Sequence, residues 1–163
     1  MTLLLPSRDQ TIEGVNVREL RWIPDGRGSI LECFRESWGV HDGCRQVYLS
    51  ETLPGVVKAF HSHRVQTDVF TCIVGRVLLV LVDVRVGSPT YGTLAEYALA
   101  ADRGPRAVSI PPGVVHGWKA ISETPAIVLN AVSREYDGTD EYRRPADSPG
   151  EGLSYDWHGR RDG

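Results

Sequence analysis

Three cysteines are all the chain contains, and Cys33, Cys44 and Cys72 form no C-x-x-C pair. An odd count without that spacing argues against a disulfide framework or a zinc knuckle. No window holds the roughly 20 apolar residues that a membrane span needs, so no membrane partner is expected. The opening "MTLLLPSRDQ" lacks a basic start, and its apolar run is too short for a secretory leader, so a cytoplasmic location is expected. Excess positive charge is missing too. A net charge of −3 exerts no pull towards nucleic acid or anionic membrane, so neither is expected as a partner. Helical periodicity is scarce, and no repeat or low-complexity tract is visible.

What is present is strand-like. At 163 residues the chain is long enough for one domain, 1–163, with a genuine core. Its 41% hydrophobic and 24% charged content is ordinary for a globular protein. Short apolar or alternating stretches recur between Gly, Pro, Asp and Ser: "NVRELRWI", "SILECFRES", "RQVYLSE", "VVKAFHSH", "VFTCIVGRVLLVLVDVRV", "AEYALA", "AVSIPP", "VVHGWKAI" and "AIVLNAVS". Many short strands with punctuating turns predict an all-β sandwich or barrel. From Tyr136 onward the pattern decays, so 136–163 reads as an irregular C-terminal segment held down by Tyr142, Tyr155 and Trp157.

Two of only five histidines stand one residue apart in "FHSHRVQTDVFTCIVG", residues 60–75. On a strand, residues i and i+2 share a face, so His61 and His63 point together. Gly55, His61, His63, Asp68 and Gly75 have the spacing of the first cupin motif, with Asp where Glu is usual. "IPPGVVHGW" carries the core of the second motif at Pro111, Gly113 and His116, without its usual trailing Asn. The fold expected is therefore a double-stranded β-helix, the cupin jelly-roll barrel. In such a barrel two histidines on one strand, a carboxylate on the next and a third histidine from a distant strand converge. His61, His63, Asp68 and His116 thus predict a site for a divalent transition metal (Fe, Mn, Ni, Cu or Zn) with positions left open for a small-molecule substrate. A metal-free polar pocket is the alternative. His41 and His158 read as ordinary surface or core residues.

The sequence also resembles the dTDP-4-dehydrorhamnose 3,5-epimerases, a cupin-fold family acting on nucleotide-linked 4-keto sugars. The likeness runs from about Val15 to Pro149 and rests on "DGRGSILECF", "GVVKAFH", "QTDVFTCIVGRV", "VDVRVGSPTYG" and "IPPGVVHGW". It implies that His61 is the catalytic base beside the sugar ketone and that His116 is the family's H-G-F histidine. It further implies a homodimer in which N-terminal strands such as "NVRELRWI" and "SILECFRES" extend the partner's sheet. Lys58 stands where an arginine contacts the nucleotide phosphates, and Asp68 where a lysine stabilises the enolate. The family's catalytic tyrosine is absent at Leu129 and Asn130, and its orienting aspartate is expected to be missing. Gln46 and Arg27 are nucleotide contacts by resemblance, and Tyr91 and Trp118 are candidates to face a ligand. The bland reading gives Trp118 to barrel packing, and Arg85, Pro89 and Gly92 to the shape of the "GSPTYG" loop.

The expectation drawn from both readings is a metal-dependent isomerase or epimerase on this scaffold, acting on a carbonyl or sugar-like small molecule. A metal-dependent oxygenase, a metal-free nucleotide-sugar 3,5-epimerase and a non-catalytic sugar-nucleotide binder remain the alternatives.

Overall fold

The computed structural model describes residues 10–40 and 43–158. Along the chain run β1 (Asn16–Glu19), β2 (Trp22–Asp25), β3 (Gly28–Leu31), β4 (Gln46–Thr52), β5 (Val57–His63) and β6 (Asp68–Val74). There follow β7 (Arg76–Asp83), β8 (Leu94–Ala100), β9 (Arg106–Ile110), β10 (Val114–Ala120), β11 (Ala126–Val132) and β12 (Glu141–Arg143). A 3-10 turn, Glu36–Trp38, is the sole helical element among the described residues.

Two five-stranded sheets are formed, in the orders β1-β9-β6-β11-β4 and β12-β5-β10-β7-β8, with β2-β3 as a separate hairpin. Every strand pairing is antiparallel. This is the expected jelly roll. Between the sheets lies an apolar core of Phe70, Leu79, Leu81, Leu99, Ile110 and Trp118 among others. Strand β7 reads "RVLLVLVD" without alternation because both of its faces are covered. Leu79 and Leu81 point into the core, while Leu78, Val80 and Val82 pack outward under Tyr155 and Trp157.

The long apolar run at 69–86 is not one strand. Gly75 turns the chain from one sheet to the other at φ 67°, where a Cβ would lie 2.7 Å from Ser122 Oγ and 3.0 Å from Ala126 Cα. "NVRELRWI" is likewise divided into β1 and β2.

The C-terminal segment departs from the expectation of irregularity, because Glu141–Arg143 pairs with β5 as an edge strand. Tyr155 and Trp157 are buried anchors: Tyr155 Oη donates to Glu96 Oε1 (2.8 Å) and Trp157 Nε1 to the Ala146 carbonyl (2.7 Å). Tyr142 is not such an anchor. It is partly exposed beneath the Arg64 guanidinium, since its position on β12 faces away from the core. Strand β1 pairs within its own chain, with β9. The β2–β3 hairpin, where strand exchange was expected, exposes Trp22, Ile23 and Ile30.

Candidate active site

The site forms where β5 and β10 of one sheet face β6, β11 and β4 of the other. His116 pairs with His61, and Trp118 with Lys58, so Ala59 and Phe60 together oppose the single residue Gly117. This bulge changes which residues face inward. Strict alternation from His61 would send Lys58 outside; the extra residue brings it to the histidine face. Only glycine permits the approach, since a Cβ at position 117 would lie 2.3 Å from Ala59 Cβ. Lys58 Nζ then sits 6.0 Å from the Trp118 ring and donates to Ser50 Oγ (2.8 Å).

His61, His63 and His116 come together as expected, with one ring nitrogen of each within 4.8 Å of the others. The His61 and His116 ring centroids are 4.1 Å apart. Asp68 joins them through Oδ2, 3.5 Å from His116 Nε2 and 3.7 Å from His63 Nε2. Its other oxygen is saturated, because Oδ1 accepts from Asn130 Nδ2 (2.7 Å) and Gln66 Nε2 (3.0 Å).

The hydrogen bonds fix two tautomers. His63 Nδ1 lies 3.1 Å from the Asp140 carbonyl and His116 Nδ1 lies 3.0 Å from the Val114 carbonyl. A carbonyl can only accept, so both imidazoles carry a proton on Nδ1; His63 Nε2 accepts from Gln66 Nε2 (3.3 Å), while His116 turns its Nε2 lone pair towards Asp68. His116 Nε2 is buried without a hydrogen-bond partner. Lone pairs of His116 Nε2 and Asp68 Oδ2 therefore face each other beside His63, and something positive belongs between them: a proton on Asp68, or a metal ion.

Charge follows burial here. Burial pushes the Asp68 carboxyl up from the usual carboxylate range. Burial lowers His116 to about 3, and burial together with the neighbouring His116 lowers His61 to about 3. Asp68 and Glu141 act against that fall at His61. Both imidazoles are thus neutral at neutral pH. Neutral imidazoles plus a carboxylate fit a divalent transition metal as well as they fit a shared proton.

The remaining candidates divide. Trp118 is floor, packed edge-on against Phe70 (5.2 Å) and donating Nε1 to Thr52 Oγ1 (3.0 Å). Gln46 accepts the Tyr136 backbone N–H (2.8 Å) through its side-chain oxygen, which ties it to a loop. Arg27 occupies the β2–β3 turn, where it is exposed and paired with Asp25 (2.9 Å). Tyr91 is exposed in the loop between β7 and β8. Arg85 belongs to that loop's framework and donates to Asp83 through Nε (2.9 Å) and Nη2 (2.8 Å). His41 lies outside the described residues, and His158 is exposed. A separate groove of about 490 Å³ lies under the C-terminal segment, beside Lys119, Tyr155 and Trp157, and none of the clustered histidines borders it.

One residue escaped the sequence reading. Tyr48 lies opposite Asn130 in the β4–β11 register, and its Oη is 2.8 Å from Asn130 Nδ2. Leu129, the other position where a tyrosine was sought, packs on the outer face of the sheet. The signal was the alternation of "QVYLSE", which fixes a face for Tyr48 without showing what that face meets.

Comparison with known proteins agrees with this architecture. The family model for dTDP-4-dehydrorhamnose 3,5-epimerase matches residues 9–161. The chain belongs to that family. The spore coat polysaccharide biosynthesis protein SpsL of Bacillus subtilis (strain 168) is 34% identical over 149 residues, 90% of this chain and 97% of its own. The crystal structure of a dTDP sugar isomerase from Desulfovibrio desulfuricans G20 superposes with a TM-score of 0.85 at 34% identity, covering 93% of this chain and 95% of that one. NovW, a 4-keto-6-deoxy sugar epimerase from the novobiocin biosynthetic gene cluster of Streptomyces spheroides, superposes at 0.78 with 33% identity, covering 97% and 81%.

Proposed function

We propose that this chain epimerises a nucleotide-linked 4-keto sugar, with His61 as the base that takes a proton from the carbon beside the ketone. The observation that carries this reading is the His61 imidazole, neutral and placed with Lys58, His116 and Trp118 on the inner face of a barrel of the epimerase family. The relatives support the substrate class, NovW being a 4-keto-6-deoxy sugar epimerase. As the C–H bond breaks, its electron pair moves into the carbonyl and an enolate forms. Glu141, whose charge favours a protonated His61, stabilises the imidazolium that results. Lys58 supplies the cation on this face, for the developing oxyanion or for the nucleotide phosphates.

The test is exchange in D2O with dTDP-4-keto-6-deoxyglucose, followed by NMR. Wild-type protein is expected to place deuterium at a carbon beside the ketone, and His61→Asn to slow this by about 100-fold or more. Absence of exchange on every nucleotide-linked 4-keto sugar tried would overturn the proposal.

The converging lone pairs favour a second reading, in which His61, His63, His116 and Asp68 hold a divalent transition metal. When bound, such an ion supplies Lewis acidity at the ketone oxygen, or, as Fe or Cu, oxygen chemistry. Elemental analysis after incubation with Fe, Mn, Ni, Cu and Zn tests it. Stoichiometric metal in wild-type protein, lost in a folded His63→Ala variant, is the expected result, and no retained metal would remove this reading.

A further inference from the structure

We infer that Tyr48 is the acid that returns a proton to the sugar carbon from the face opposite His61, an assignment that rests on the epimerase reading above. The argument begins at Asn130. Its Oδ1 accepts the backbone N–H of Val69 (3.1 Å), and because that N–H can only donate, the orientation of the amide is settled. The Asn130 NH2 group must then face the other way, where it donates one hydrogen to Asp68 Oδ1 (2.7 Å) and the other to Tyr48 Oη (2.8 Å). The phenol oxygen is thus an acceptor in this network, and its own O–H is left over. Among the described residues no acceptor takes it. Tyr48 is 40% exposed, so its side chain is not sealed in the core.

Placement supplies the second half of the argument. His61 stands on β5 of one sheet and Tyr48 on β4 of the facing sheet. A sugar ring between the sheets meets the base on one face and the phenol on the other, and inversion at a carbon demands that arrangement. Burial and the nearby Asp68 push the phenol up to about 12, so it holds its proton throughout the neutral range. Neither Leu129 nor Asn130, the two positions at which the family resemblance placed a tyrosine, is one; Asn130 instead binds a tyrosine from the neighbouring strand.

The step balances without a co-reactant. His61 takes the proton, and the C–H pair becomes the enolate double bond as the carbonyl pair moves to oxygen. In the return step that double bond takes the Tyr48 proton and forms the new C–H bond on the opposite face while the carbonyl re-forms. A phenolate, held by the Asn130 N–H, and an imidazolium remain, and both re-equilibrate with solvent.

Tyr48→Phe removes only the hydroxyl and keeps the ring. In D2O with dTDP-4-keto-6-deoxyglucose, Tyr48→Phe is expected to keep deuterium exchange within about threefold of wild type while the inverted product falls by about 100-fold or more. His61→Asn is expected to lose both, and the Tyr48→Phe melting temperature to stay close to wild type. Inversion by Tyr48→Phe at the wild-type rate, or a parallel loss of exchange and inversion, would overturn the assignment. Wild-type protein that neither exchanges nor inverts overturns the epimerase reading itself, and the role of Tyr48 falls with it.

Discussion

Asp83 and Asp68 stand at strand ends, the last residue of β7 and the first of β6, and solvent reaches 0% of one and 1% of the other. Their chemistry is opposite. Burial disfavours the charge of Asp83, yet donation from Arg85 (Nη2 at 2.8 Å), Ser88 Oγ (2.6 Å) and Thr90 Oγ1 (2.6 Å) holds its carboxyl below the usual range. Asp68 receives two amide donors on one oxygen and faces two imidazoles with the other, so burial prevails and its carboxyl is pushed up. Equal loss of solvent contact, then, says little about a carboxylate. What decides is how deep it lies and whether donors surround it. Asp83 with Arg85 is a latch for the loop between β7 and β8, and Asp68 is a carboxyl that gives up its proton less readily than usual, set against two histidines.

Acid breaks the comparison most strongly. His61 and His116 titrate near 6.5 when unfolded and near 3 when folded, so from 6.5 down to 3 the unfolded state binds more protons and stability falls as pH falls. By pH 4 the two should cost on the order of 5 kcal/mol, seen as a falling melting temperature. Asp68, raised, binds its proton more readily when folded and offsets part of that loss. Asp83, depressed, withdraws its own contribution only below about 4. A melting temperature flat from pH 6.5 to 4 would contradict neutral, buried histidines.

The pair of amide substitutions sharpens the contrast at neutral pH. Asp83→Asn strands Arg85 opposite a neutral group and should cost about 2–3 kcal/mol, near 10 °C in melting temperature. Asp68→Asn should stay within about 1 kcal/mol, because an amide can accept at the Asn130 side and donate to His116 Nε2. Equal losses from both would show Asp68 to be ionised, or engaged by a metal in the protein as purified.

Side-chain parity on a strand is a local property, and it made His61 and His63 legible together in "FHSHRV". Motif spacing likewise exposed Asp68, His116 and the jelly roll, because turn residues such as Gly75 and the Pro111–Gly113 stretch punctuate strands wherever they occur. Lys58 was named by likeness alone; its inward placement needed the bulge against Gly117, a mismatch between two strands and so invisible in either one. Tyr48 was missed because its role depends on the β4–β11 register, which sets it beside Asn130 across 82 residues of sequence. Composition and strand pattern by themselves determined an all-β sandwich or barrel, and motif spacing determined a jelly roll with histidines converging inside it. Only the tertiary structure decided that His116 Nε2 is bare, which aspartate is pushed towards keeping its proton and which tyrosine has one to give, because those depend on the partners that distant strands bring within 3–4 Å.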